Sequence, residues 1–221
     1  TGRRAGLDRD VVVDAALALV EEGGAAALTM RRLASELGVT TTTIYWHVGD
    51  RDELVTAIIE RVAQRQADLV VEGGSGRERV MYVVRHVWRS ALAHRQVTAL
   101  AHQVGATSLL ELPLEVALAR ELDAAGVRGE DARDALRAIL MCVAGFLVVA
   151  FRSQGPRADR DGATPQRNQP HALWADVVDG SIEPATLAAM RIPPELDPLF
   201  ETTMQAVVDE FVPARRRTQP H

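Results

Sequence analysis

Apolar positions recur at helical spacing from the start of the chain. In residues 8–22, Val12, Ala15, Ala16, Leu19 and Val20 form one stripe, and the glycine pair at 23–24 ends it. A second helix opens at Leu28-Thr29, with Thr29 as N-cap and Leu33, Ala34 and Leu37 facing inward. Gly38 stops it, at a point where the chain must turn left-handed. Ile44 and Val48, one turn apart, give a third short helix its buried side. Asp50 and Glu53 then form a capping box, starting a helix that runs through Leu54, Val55, Ile58, Ile59 and Val62 towards Val71.

Beyond the flexible GGSG at 73–76 the helical patterns lengthen, to about 77–95, 97–108, 111–125 (entered through Pro113) and 130–153. Residues 155–170 hold no large apolar side chain and read as a mobile loop. After Pro193-Pro194 a last amphipathic helix carries Leu196, Leu199, Phe200, Met204, Val207, Val208 and Phe211, and the arginines at 215–217 form a frayed tail. No stretch alternates as a strand does, so an all-α fold is expected.

Three short helices with a glycine turn before the third suggest a helix-turn-helix. With Ile44 and Val48 buried, Thr41 and Tyr45 share one outer row, Thr42 and Trp46 the next, and Thr43 lines up with His47. Exposed aromatics on a short helix mark an interface. The alternative is that Tyr45 and Trp46 pack on the preceding helix and the threonines only cap a turn. Threonine hydroxyls and methyls suit base edges and thymine methyls in a major groove. Arg31, Arg32 and Arg51 flank this helix, and Arg3, Arg4 and Arg9 form an N-terminal arm, an arrangement suited to phosphates.

Composition narrows the picture. The net charge of −5 argues against nonspecific coating of nucleic acid, and all 25 basic residues are arginine. Cys142 stands alone in an apolar run, which excludes a disulfide framework and points to a packing role in a reducing compartment. The run at 138–151 is short for a membrane span and reads as a helix buried on most of its surface. No membrane association and no cofactor are expected. No signal peptide is visible in a chain that begins at Thr1, so the expected location is cytoplasmic.

The segment LTMRRLASELGVTTTTIYWHVGDRDEL resembles the DNA-binding domain of the tetracycline-repressor (TetR) family, a likeness covering residues 8–60. The resemblance implies a three-helix DNA-binding domain over 1–58 and a larger helical effector-binding and dimerisation domain over 59–221. It implies a homodimer, a palindromic operator and release by a small-molecule effector. Carried over by position, Arg31, Thr41 and Thr42 correspond to base-contacting sites. Thr29, Thr43, Tyr45, Trp46, His47 and Arg51 match phosphate-contacting or helix-anchoring sites. The family's namesake has Gln-Pro in place of Thr41-Thr42 and lysine in place of Gly49, so its operator is not expected to be shared.

An effector cavity needs apolar walls with a few polar anchors. The candidates are His86, Trp88, His102, Gln103, Met141, Phe146, Phe151 and Trp174, with plain core as the simpler reading of Trp88 and Met141. No histidine pair, cysteine pair or acidic set has metal-ligand spacing, so no metal is expected. His102 falls near the position of a family metal ligand, but a lone histidine is weak support. The late helices at 130–153 and 195–212 are apolar beyond one face, which the resemblance assigns to the dimer interface. No nucleophile–base pair or phosphate loop supports an enzyme. Two alternatives stay open: a helical dimer acting through protein partners, and an activator without a small-molecule effector.

Overall fold

A computed structural model describes residues 7–153 and 174–214. The arm at residues 2–4, the segment 155–170 and the arginines at 215–217, all singled out in the sequence, lie outside the described residues. The rest forms ten α-helices: α1 (Arg9–Gly23), α2 (Met30–Leu37), α3 (Thr41–Val48), α4 (Arg51–Ala67), α5 (Gly76–Ala93), α6 (Arg95–Gln103), α7 (Thr107–Ala124), α8 (Gly129–Ser153), α9 (Pro184–Met190) and α10 (Leu196–Phe211). No strand occurs among the described residues, so the chain is all-α.

Local chemistry sets the helix ends. Asp8, Thr29, Thr40, Asp50 and Ser75 each accept a backbone N–H as N-caps, and Asp50–Glu53 and Ser75–Glu78 are full capping boxes. Gly38 ends α2 at φ 65°, ψ 32°, the left-handed turn expected from its position. Several elements differ from the sequence reading: α4 stops at Ala67 instead of running towards Val71, and the helix expected over 97–108 ends at Gln103. Helix α7 begins at Thr107, leaving Pro113 inside it rather than at its entrance. Helix α9, capped by Glu183 and started by Pro184, is too short to show a period.

Two apolar cores organise the packing. The first gathers α1 to α4 around Val12, Ala16, Val20, Leu33, Ile44, Leu54 and Ile58, and draws in Val97, Leu100 and Ala101 from α6 and Leu110 from α7. It is therefore not closed within the first 58 residues. The second joins α5, α7, α8 and α10 around Val80, Val84, Trp88, Leu118, Leu122, Ile139, Phe200, Met204 and Val208. Phe200 is fully buried, stacks on Trp88 at 4.6 Å between centroids and meets Phe146 edge-on at 5.3 Å. Arg79 binds the buried Glu121 through two hydrogen bonds, of 2.6 and 3.0 Å, joining α5 to α7.

Helix α8 corrects one expectation. Only 22% of its apolar stretch lies buried inside the chain, although Gly129–Phe151 is long and apolar enough to cross a membrane by length and composition. Ala135, Ile139, Val143 and Ala150 face the second core, whereas Met141 is 75% exposed, so the reading of Met141 as core fails. The cause is that apolar residues surround α8 while its neighbours in this chain cover one stripe. Cys142 is half-buried rather than enclosed.

Truncating Phe200 to alanine removes the ring on which Trp88 and Phe146 both rest. Phe200→Ala is expected to lower the unfolding free energy by about 3–5 kcal/mol in urea titrations. A loss below about 1 kcal/mol would contradict the central place given to this ring.

Candidate nucleic-acid interface

Helix α3 is an unpromising helix in isolation. It has eight residues, TTTIYWHV, all β-branched or aromatic except His47. Such residues cost roughly 0.5 kcal/mol each relative to alanine, and a helix this short does not persist alone in water. Tertiary packing supplies what propensity lacks. Ile44 is fully buried and Val48 nearly so, burial that contributes about 1.5–3 kcal/mol per side chain.

The N-terminus of α3 divides its threonines by role. Thr40 Oγ1 accepts the Thr43 N–H at 3.2 Å and lies 2.9 Å from Thr43 Oγ1. Those two hydroxyls are engaged in the cap, and Thr43 is half-buried. Thr41 and Thr42 are exposed, as are Tyr45 at 51% and Trp46 at 87%. His47 is half-buried beside them. The outer rows inferred from the sequence are present, with Thr41, Thr42, Tyr45 and Trp46 on the open surface.

The flanking cations are not equivalent. Thr29 Oγ1 accepts the Arg32 N–H at 3.1 Å, and Arg32 pairs with Glu22 at 2.7 Å. Arg51 reaches back to the Ala25 carbonyl at 3.5 Å, tying α4 to the loop before α2. Arg31 is exposed at the start of α2. Past α3, the amides of Asp52 and Glu53 go to Asp50 Oδ1 and that of Asp50 goes to Glu53. The first turn of α4 thus presents carboxylates in place of free amides. Gly49, at φ 71°, permits this closure, because a Cβ there would collide with the Glu53 carboxylate. The engagement of Thr40 and Glu53 is geometric, and only their capping spacing signalled it in the sequence.

The effector candidates occupy separate places. Trp88 lies in the second core and donates its indole N–H to Asp197 at 3.1 Å, and Phe146 meets it edge-on at 6.2 Å. His86 is half-buried on α5, where burial and then the Arg89 charge hold its imidazole below the usual histidine range. His102 and Gln103 are exposed at the end of α6, Met141 is exposed on α8, and Phe151 and Trp174 are half-buried. Two clefts are open to solvent. One of about 510 Å³ is lined by Arg9, Val48 and the acidic first turns of α4. The other, of about 850 Å³, lies where α5 begins and α7 ends. Neither is lined by these candidates. Among the described residues no group of three or more His, Cys, Asp or Glu is placed to hold a metal ion.

The family model for bacterial regulatory proteins of the tetR family matches residues 12–58. Tetracycline repressor protein class D of Escherichia coli is 42% identical over 62 residues, so the matched part spans 28% of each chain. The TetR family protein ActR of Streptomyces coelicolor, solved in complex with actinorhodin, is 25% identical with a TM-score of 0.68, over 94% of this chain and 96% of ActR. BioQ, solved with its natural double-stranded DNA operator, is 29% identical with a TM-score of 0.53, over 69% of this chain and 91% of BioQ.

Side chains above and below α3 should respond differently to truncation. Ile44→Ala is expected to destabilise the fold by about 2–5 kcal/mol and Thr40→Ala by about 1 kcal/mol. Trp46→Ala should stay within about 0.5 kcal/mol in the same chemical denaturation series. A large loss from Trp46→Ala would place its ring in the core instead.

Proposed function

Because the chain belongs to the TetR family of bacterial transcriptional regulators, we propose that it is a homodimeric repressor. In this reading it binds a palindromic operator through α3 and is released by a small molecule. One observation carries the proposal: α3 is held from beneath by Ile44 and Val48 while Thr41, Thr42, Tyr45 and Trp46 stand exposed in one patch. Thr41 and Thr42 read base edges, and Tyr45, Trp46, His47 and Arg31 set the helix against the backbone and groove. Thr29, Thr43 and Arg51 act from behind, by capping helices and bracing the unit.

The dimer reading draws on the exposed faces of α8 and α10, where Met141, Val148 and Leu199 project from the chain. Covering that face with a second copy gives two-fold symmetry, and with it a palindromic site. The C-terminal unit, from the end of α4 onward, holds the effector. ActR with actinorhodin supports this by likeness. An effector acts by favouring a dimer whose reading helices no longer match successive major grooves, which lie about 34–36 Å apart.

Selection from a random duplex pool with the purified full chain tests the reading. A palindromic duplex should emerge, with affinity falling steeply as salt rises. Thr41→Ala and Thr42→Ala should each relax preference at one base position by about 1–3 kcal/mol. Trp46→Ala should weaken all duplexes alike. Recovery of no preferred duplex at moderate salt would overturn the proposal.

A further inference from the structure

We infer that the C-terminal end of α5 and the residue that caps it form a two-point polar clamp, through Ser90 to α4 and through His94 to α1, that fixes the spacing of the two reading helices. The inference rests on the operator-binding reading above.

Apolar contacts hold α6 against α1, with Val97, Leu100 and Ala101 inside the first core. Such contacts resist separation but are non-directional, so they set position loosely. Hydrogen bonds have preferred distances and angles and fix it. Ser90 lies in the last turn of α5 and His94 caps that helix, its N–H donating to the Ser90 carbonyl at 2.9 Å. Gln66 Nε2 on α4 donates to Ser90 Oγ at 2.8 Å. His94 Nδ1 lies 2.8 Å from Glu21 Oε1 on α1, with both side chains largely covered. Beside this contact Gly24, at φ 69°, leaves room for Gln96, whose Oε1 would lie 3.0 Å from a Cβ there.

The α4 point is where leverage enters. Gln66 is 6% exposed, and its Oε1 has no hydrogen-bond partner. A buried amide oxygen without a partner is costly, which leaves the Ser90 bond opposed by a local penalty. Gln66 stands in the last turn of α4, whose first turn follows α3 directly. A helix of this length spans about 25 Å, so any tilt at Gln66 is magnified at the α3 end. Glu21 and His94 hold the other side of the reading unit against such a tilt.

The test uses the duplex recovered by selection and versions with half-sites one base pair nearer or farther. The wild-type chain should discriminate against shifted spacings by about tenfold or more, since reading helices must match groove separation. Glu21→Ala and Ser90→Ala should each cut that discrimination to about threefold or less, with affinity for a single half-site duplex unchanged. Glu21→Gln keeps a hydrogen-bonding group towards His94 and should retain discrimination. Ser90→Ala leaves α1 untouched, which keeps the test decisive if Glu21→Ala fails to fold. Folded variants that bind the half-site normally and still discriminate as the wild type does would overturn the clamp. A chain that selects no duplex overturns the operator-binding reading itself, and the clamp with it.

Discussion

Helix α3 exists because two of its side chains are buried. Eight residues of poor intrinsic propensity do not hold a helix alone, and Thr40's cap offsets only part of the deficit. Ile44 and Val48, sealed against the first core, make up the difference. That anchoring fixes which residues face outward. Period and burial together leave Thr41, Thr42, Tyr45 and Trp46 on the surface, so the same packing that stabilises the helix also composes its exposed patch.

The same logic of incomplete burial runs through the rest of the chain. Helix α6 contributes apolar residues to the first core, and α4 runs on from α3 towards the second half, so the N-terminal unit is not an independent bead on a linker. Polar contacts at the end of α5 give that junction direction. At the far side, α8 leaves most of its apolar surface outside this chain's own core. A homodimer resolves that exposure in the proposed reading.

Much of this was legible in the sequence, because helix stripes and caps are local. The Val12–Val20 stripe, the left-handed Gly38 and the Asp50–Glu53 box each required only a few neighbouring residues. Features that depend on distant parts of the chain were not. Met141 reads as core by type, yet which side of α8 is covered depends on α5 and α10. Pro113 reads as a helix start, yet Thr107 begins that helix. The four threonines look equivalent in a string, and only the geometry of the cap separates Thr40 and Thr43 from Thr41 and Thr42. Glu21 on α1 and His94 at the junction of α5 and α6 are far apart in sequence, and no motif announces their contact.

In the proposed reading the outer face of α3 meets DNA. The chain holds three tryptophans, and the structure puts Trp46 on that face, Trp88 in the second core and Trp174 partly covered. Fluorine NMR of the fluorotryptophan-labelled chain, titrated with its selected duplex, therefore tests the claim directly. The Trp46 resonance should shift and broaden on binding while that of Trp88 holds its position. A saturated complex in which Trp46 is unmoved would show that this face does not meet DNA.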